Sequence, residues 1–370
     1  MAVYPPKRKI AEKGESNSIW QMDVKSFLGI RSHMGLAQTA LFCRKISFLL
    51  DSGLSLRSAM SILGEQVKNK NLAKITQKLH NLLESGESFS SALCSVGVFP
   101  PFMCGYVEIG EKTGEFAEVF RGLADYYEEH SKIESELTAA MIYPIMVVVV
   151  MLGVVVLAVA LVLPGYEEIF TYSGVQMPVF TAALISGAAF VSQNAVILLL
   201  LIIFVNVSLL IFFKTTAGRY VASIVKLRSS LVKKSVNLKI SDAIALLLQS
   251  KISVPESVKI CTKIIGNEKV KQDLKKIEQD IRKGKPFWLT LSEFSYIDPI
   301  LLELVKIGEE SGSLPATVKK CSDYLLSEYK ASIKRLNKLV EPVITVVLGA
   351  VLALIMLAVV LPTFELAQVM

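Results

Sequence analysis

Two short sequences carry the residue types from which a site could be built. Gly110-Glu111-Lys112-Thr113-Gly114 and Gly308-Glu309-Glu310-Ser311-Gly312 each set a carboxylate and a small hydroxyl between two glycines. Glu108 and Glu111 fall on one side of a helix and could hold a cation. Lys306, however, stands where Glu108 would be in the second sequence, and Glu309-Glu310 changes the pattern. Structural or solvent-facing carboxylates are therefore the better reading, in a turn where glycine ends one helix and Thr113 or Ser311 caps the next. Other chemistry is poorly provided for. Cys43, Cys94, Cys104, Cys261 and Cys321 form no CxxC pair, and no sequence-local base would activate a thiolate. His33, His80 and His130 are too few for a His/Cys metal cluster. Gly284-Lys285-Pro286 lacks the upstream glycine and the hydroxyl of a phosphate-binding loop. No catalytic residue, cofactor-binding residue or metal ligand is assigned, and enzymatic activity is not expected.

The elements that must position these turns are set by where the apolar residues lie. Of 370 residues 52% are hydrophobic and 20% charged, with a mean hydropathy of +0.50, so very apolar stretches alternate with ordinary soluble ones. No charged residue occurs between Glu136 and Glu167, between Glu168 and Lys214, or between Glu341 and Glu365. Each gap is long enough to cross about 30 Å of hydrocarbon as a helix. Three transmembrane helices are predicted, at 141–165, 190–213 and 342–364. The first forty residues are polar and basic, with no apolar core of a cleavable signal peptide.

Charge orients the spans. Lys132, then Lys214, Arg219, Lys226, Arg228, Lys233 and Lys234, then Lys330, Lys334, Arg335 and Lys338 flank one side, whereas 165–180 contains Glu167 and Glu168 but no Lys or Arg. The positive-inside rule puts the N-terminus and the two long polar segments in the cytoplasm, with 166–187 and the 365–370 tail outside. The net charge of +7 thus reports topology, and direct nucleic-acid binding is not expected.

Sliding the chain by 198 residues superposes both polar segments and their spans without a gap. Ser52 meets Ser250, Gly86 meets Gly284, Phe89 meets Phe287 and Pro101 meets Pro299. VEIGEKTG, 107–114, meets VKIGEESG, 305–312; Asp125-Tyr126 meets Asp323-Tyr324, and Pro144 meets Pro342. One offset held over more than a hundred residues marks a duplicated unit, a soluble domain followed by a membrane helix. Apolar residues recur at three and four positions in LFCRKISFLLDSG, KNLAKITQKLHNLLESG and NEKVKQDLKKIEQDIRKGK, and no period-two pattern competes. The fold class is all-α: a polytopic membrane protein with two helical-bundle repeats of about six helices, 35–138 and 215–338, preceded by an arm, 1–34.

From Glu115 to Tyr143, and again from Leu314 to Pro342, few breaking residues interrupt the chain, so helix should run from bundle into lipid. Pro144 and Pro342 either kink these helices or sit where interfacial water satisfies the backbone. Asn206, deep in the second apolar run, and Gln193 and Asn194 nearer its edge could bond between helices, and Gly153 and Gly349 could let spans approach.

The paired SG-containing openings, GExxG turns, DY pairs, prolines before the spans and LP after them are similar to the bacterial type II secretion F/PilC family, over about 35–165 and 235–368. That resemblance implies an oligomeric inner-membrane platform of type II secretion or type IV pilus machines. Its implied partners are a separate hexameric cytoplasmic ATPase, pilin-like subunits, other inner-membrane assembly proteins and further copies of itself. It carries over Gly110, Glu111, Thr113, Gly114, Gly308, Glu309, Ser311 and Gly312 as fold or contact determinants, and no catalysis. A small-solute transporter is the alternative from another class, but no span has a central charged residue; a scaffold of another envelope complex is a third reading.

Overall fold

Why the polar segments fold into bundles is visible in their stripes. Positions 119, 120, 123, 124, 127 and 130 are buried along one side of a helix, the spacing that turns one face inward every three or four residues. In the computed structural model, residues 34–66, 70–158 and 215–369 are described, with scattered positions between 182 and 205. Among these residues the secondary structure is helical, with no strand.

The first unit comprises α1 (Leu36–Asp51), α2 (Leu56–Gln66), α3 (Lys70–Glu84), α4 (Phe89–Val96), α5 (Pro101–Thr113) and the polar half of α6 (Phe116–Leu157). The second begins with α7 (Thr216–Lys226), whose counterpart positions, 18–28, lie outside the described residues. It then repeats the plan in α8 (Ser230–Gln249), α9 (Val254–Cys261), α10 (Glu268–Arg282), α11 (Phe287–Ser292), α12 (Pro299–Glu310) and α13 (Leu314–Val369). In each unit the opening helix lies along the long one, α1 on α6 and α8 on α13. Phe42, Ile46, Phe89, Phe102, Phe120 and Leu123 fill the first core, with side chains under 2% exposed. Local signals end the helices where the periodicity stops: Gly86 and Gly284 close α3 and α10 with φ of +86° and +89°, the left-handed conformation that costs glycine least. The Asn267 side chain caps α10 by accepting from the Val270 N–H at 3.1 Å.

The long helices run unbroken through their prolines. α6 extends 42 residues with Pro144 inside it, and α13 extends 56 with Pro342 inside, about 60 and 85 Å at 1.5 Å per residue. α13 also passes Leu361-Pro362 and the start of the expected tail, ending only at Val369. Beyond Thr138 and Lys338 the character of both helices changes. Ile142, Val149, Val150, Val343 and Val346 are each about 60% exposed or more, a density of uncovered aliphatic surface that soluble chains avoid. Both helices meet the length and composition for crossing a bilayer, and the chain is a membrane protein. They face one another across a groove of about 340 Å³ lined by Met146, Val150 and Val154 on one side and Leu348, Leu352 and Ile355 on the other. A Cβ on Gly153 or Gly349 would meet no neighbour within 4 Å among the described residues.

Most of the second apolar run, Asn206 included, lies outside the described residues. The positions described there, such as Phe190, Ile197 and Phe204, are helical and exposed. The Asn194 amide donates to the Phe190 carbonyl at 2.9 Å, one turn back along the chain.

Candidate functional site: the paired GExxG turns and the seam between units

Each residue of the GExxG sequence has a separate mechanical task. Gly110 faces α6 so closely that a Cβ there would lie 2.8 Å from Val119 Cγ2; at Gly308 it would lie 2.0 Å from Thr317 Oγ1 and 2.9 Å from Leu314 Cα. The closing glycines, Gly114 and Gly312, take φ of +78° and +68° and turn the chain straight into the long helix.

Between them the glutamate reaches back to the preceding short helix. The Glu111 carboxylate accepts the Phe89 N–H at 2.6 Å, the Ser90 N–H at 3.1 Å and the Ser90 hydroxyl at 2.5 Å. Glu309 accepts the Phe287 and Trp288 N–H groups at 2.8 and 3.0 Å. A helix begins with four N–H groups that lack intrahelical partners and carry partial positive charge, so a carboxylate at that point satisfies donors and complements the dipole. The sequence thus clamps α4 to α5 and α11 to α12, then delivers the chain into α6 and α13. Glu108 takes no part; it pairs with Lys112 at 2.8 Å, which draws its carboxyl below the usual range. The two acids are therefore engaged separately rather than converged on a shared cation.

The hydroxyls do not cap the following helix as the sequence suggests. Thr113 donates to the Ile109 carbonyl at 3.2 Å and accepts the Glu115 N–H at 3.4 Å, while Ser311 donates to the Ile307 carbonyl at 2.7 Å and shares a hydrogen bond with Ser313 Oγ at 2.6 Å; both donations run backward into the helix that is ending. α6 instead starts at Glu115 with no side-chain cap. The reason is position: a hydroxyl at the end of a helical turn finds free carbonyls four residues behind it before it finds free N–H groups ahead.

Four of the five cysteines are held as thiols by burial. Cys43 and Cys261 are fully buried, and loss of solvation pushes both thiols far up; Cys104 and Cys321 are pushed up to about 12 by the same cause. Cys94 is exposed.

A second feature has no counterpart in the sequence reading: the seam between units. The Tyr106 hydroxyl bonds Ser250 Oγ. A Cβ on Gly122 would lie 2.6 Å from Leu246 Cδ1, and one on Gly105 would lie 3.0 Å from Lys263 Nζ. His130 Nε2 meets Asp242 Oδ2 at 3.2 Å, Ser322 donates to the other oxygen of Asp242 at 3.0 Å, and the Lys330 ammonium contacts Glu129. The α5–α6 face of unit one thus sits on the α8–α9 side of unit two.

This seam is not two-fold symmetric. At the 198-residue offset, half-buried Leu246 corresponds to Phe48, which is 63% exposed, and buried Tyr126 corresponds to Tyr324, which is 43% exposed. Gly105 and Gly122 correspond to Glu303 and Lys320. Glycine opens the face that is covered, and charge occupies the face that is not. The detectable signal was a glycine in one copy opposite a charged residue in the other. Gly122→Leu is expected to wedge the seam apart at Leu246, giving faster hydrogen exchange in α8 and α9 while α1 and α3 keep theirs.

Charge also marks the first unit. Arg44 on α1 donates to Asp125 Oδ1 at 2.5 Å and to both oxygens of Glu128 at 2.9 and 3.0 Å on α6. The hydrogen bond from Arg44 holds the Glu128 carboxyl below its ordinary range. A carboxyl depressed in the fold adds stability that is present above its unfolded pKa and is lost as pH falls through the depressed folded value. Arg44→Gln should therefore flatten the acid side of the melting profile below about pH 4.5, measured on the full chain in detergent.

Comparison with known proteins matches this architecture. The family model of the type II secretion system (T2SS), protein F, fits the chain twice, over residues 42–164 and 240–362, segments that start and end 198 residues apart. A type IV pilus assembly protein PilC of Thermus thermophilus is 28% identical over 336 residues, covering 90% of this chain and 83% of that protein. A type II secretion system protein F of Aeromonas hydrophila is 24% identical over 361 residues, covering 96% and 93%. The protein transport protein HofC homolog of Escherichia coli K12 is 26% identical over 338 residues, covering 90% and 84%. With both matched segments running from the buried bundle through its GExxG clamp into an apolar helix, the chain belongs to the type II secretion system protein F family.

Proposed function

We propose that this protein is the inner-membrane platform of a type II secretion or type IV pilus machine, coupling a separate cytoplasmic ATPase to the assembly of pilin-like subunits. The observation that carries the reading is mechanical. α6 and α13 are each one helix, buried in a bundle at one end and uncovered over a membrane-length apolar stretch at the other. A displacement of the bundle is then transmitted along the helix instead of being absorbed in a loop. The Glu111 and Glu309 clamps and the salt bridges of Arg44 fix the bundle to that lever, and the seam makes the two levers move together. Further copies of the chain and other inner-membrane assembly proteins are partners in the same reading.

The lysines and arginines flanking the spans support placing both bundles in the cytoplasm and the C-terminus in the periplasm. Cys94 supplies a native probe. A membrane-impermeant maleimide should leave it unlabelled in intact cells and label it in inverted membrane vesicles; labelling in intact cells would reverse the topology. For the coupling itself, the chain should co-purify from native membranes, after crosslinking, with a secretion ATPase and pilin-like proteins. Their reproducible absence alongside a solute-dependent transport activity would overturn it.

A further inference from the structure

A cavity of a different kind lies away from the GExxG clamps. It is an open pocket of about 860 Å³ between α7, the first half of α8 and the start of α10. Its walls divide by chemistry. Val221, Val225 and Val236 contribute aliphatic surface, and Arg219, Lys226 and Lys239 contribute three cations. Among the described residues none of the three cations forms a salt bridge. Glu268 is the acid in the lining, and it is held by Lys271 at 3.0 Å. Burial lowers the Lys239 ammonium from its ordinary range, and the charge of Glu134 opposes it. The site therefore offers three cations, and the acid in its lining is already engaged by Lys271.

Its surroundings in the chain select the ligand. α7 begins three residues after the apolar run that ends at Phe213, so the start of α7 is within about 10 Å of the end of that run. Val221, Ile224 and Val225 lie on one face of α7, 41–60% exposed, beside Arg219, Lys226 and Arg228. From Ile169 to Ser241 the chain contains no Asp or Glu. An amphipathic helix with an uncovered aliphatic face and a basic border, attached directly to a membrane-length apolar segment, has the composition of one that lies at a lipid surface.

We propose that this pocket binds an anionic phospholipid, the phosphate against Arg219, Lys226 and Lys239 and the acyl chains along Val221, Val225 and Val236. The aliphatic walls favour a lipid over a free anion, which would leave that surface wet. The role is independent of which machine the protein serves: the lipid would anchor α7, and with it the second bundle, to the bilayer.

The test uses the full chain in a mild non-ionic detergent, with native mass spectrometry and thermal melting in the presence of phosphatidylglycerol, phosphatidylcholine or inorganic phosphate. Phosphatidylglycerol should be retained in preference to phosphatidylcholine and should raise the melting temperature more. R219Q/K226Q/K239M should erase the preference, at about fivefold for each cation, without lowering the melting temperature in phosphatidylcholine. Should that triple variant fail to fold, Ser235→Phe, which fills the pocket without removing a charge, should reduce phosphatidylglycerol retention. Equal retention of both lipids by the native chain, or a preference unchanged in the variants, overturns the site. Stabilisation by inorganic phosphate that matches phosphatidylglycerol would identify a free-anion site and overturn the lipid assignment.

Discussion

Gly308→Val is expected to unfold the second bundle or leave it without its long helix in place. A Cβ at this position would lie 2.0 Å from Thr317 Oγ1, 3.1 Å from Thr317 Cβ and 2.9 Å from Leu314 Cα. The hydroxyl could rotate away, but the backbone carbon cannot, so α12 and α13 must separate. Overpacking of this kind costs about 1–3 kcal/mol when side chains can relax, and more where backbone has to move. Gly110→Val meets only the Val119 side chain, at 2.8 Å from Cγ2, and should be the milder of the pair. Thr317→Ala added to Gly308→Ala should recover part of the loss, since it removes the closest atom but leaves Leu314 where it is. Melting of the full chain in detergent ranks the four variants. If Gly308→Val melted as the native chain does, with filament assembly intact, the close approach would have no mechanical importance.

The second large effect concerns the carboxylate between the glycines. Glu111→Ala should cost more than Glu309→Ala, because it releases two backbone N–H groups and the Ser90 hydroxyl rather than two N–H groups alone. Hydrogen bonds to a charged acceptor contribute about 1.5–3 kcal/mol each, reduced here because Trp288 is accessible enough for water to replace Glu309. The distinguishing readout is local: exchange at the Phe89 and Ser90 amides, or at Phe287 and Trp288, should accelerate before the rest of the bundle responds. Gln at either position retains one acceptor oxygen and should recover part of the protection. Unchanged exchange in the alanine variants would mean that α4 and α11 are held by their buried phenylalanines alone.

These two effects explain why the GExxG sequence is legible in the chain while its purpose is not. Recurrence at a single offset singles out Gly110, Glu111, Gly308 and Glu309, and a glycine after a periodic run announces a helix end. The partner of each is 21 or 22 residues upstream or 9 downstream. A glutamate that bonds the N-terminus of the previous helix and a glycine that admits the next one are defined only once three helices are packed. The same holds for the hydroxyls: Thr113 and Ser311 are plausible caps by type, and only the geometry of the turn shows them donating backward to the Ile109 and Ile307 carbonyls.

Hydrophobic periodicity, charge-free length and the 198-residue repeat by themselves determined that this protein is all-helical, duplicated and built to enter a membrane. Those properties depend on local composition and on which face of a helix must avoid water, both of which are written along the chain. The tertiary structure decided what joins the halves. Seam contacts bring together residues more than a hundred positions apart, such as Tyr106 with Ser250 and His130 with Asp242. The pocket beside α7 depends on the same fact: Arg219, Lys226 and Lys239 are scattered basic residues until folding places them around one space, with no salt bridge to any of them among the described residues.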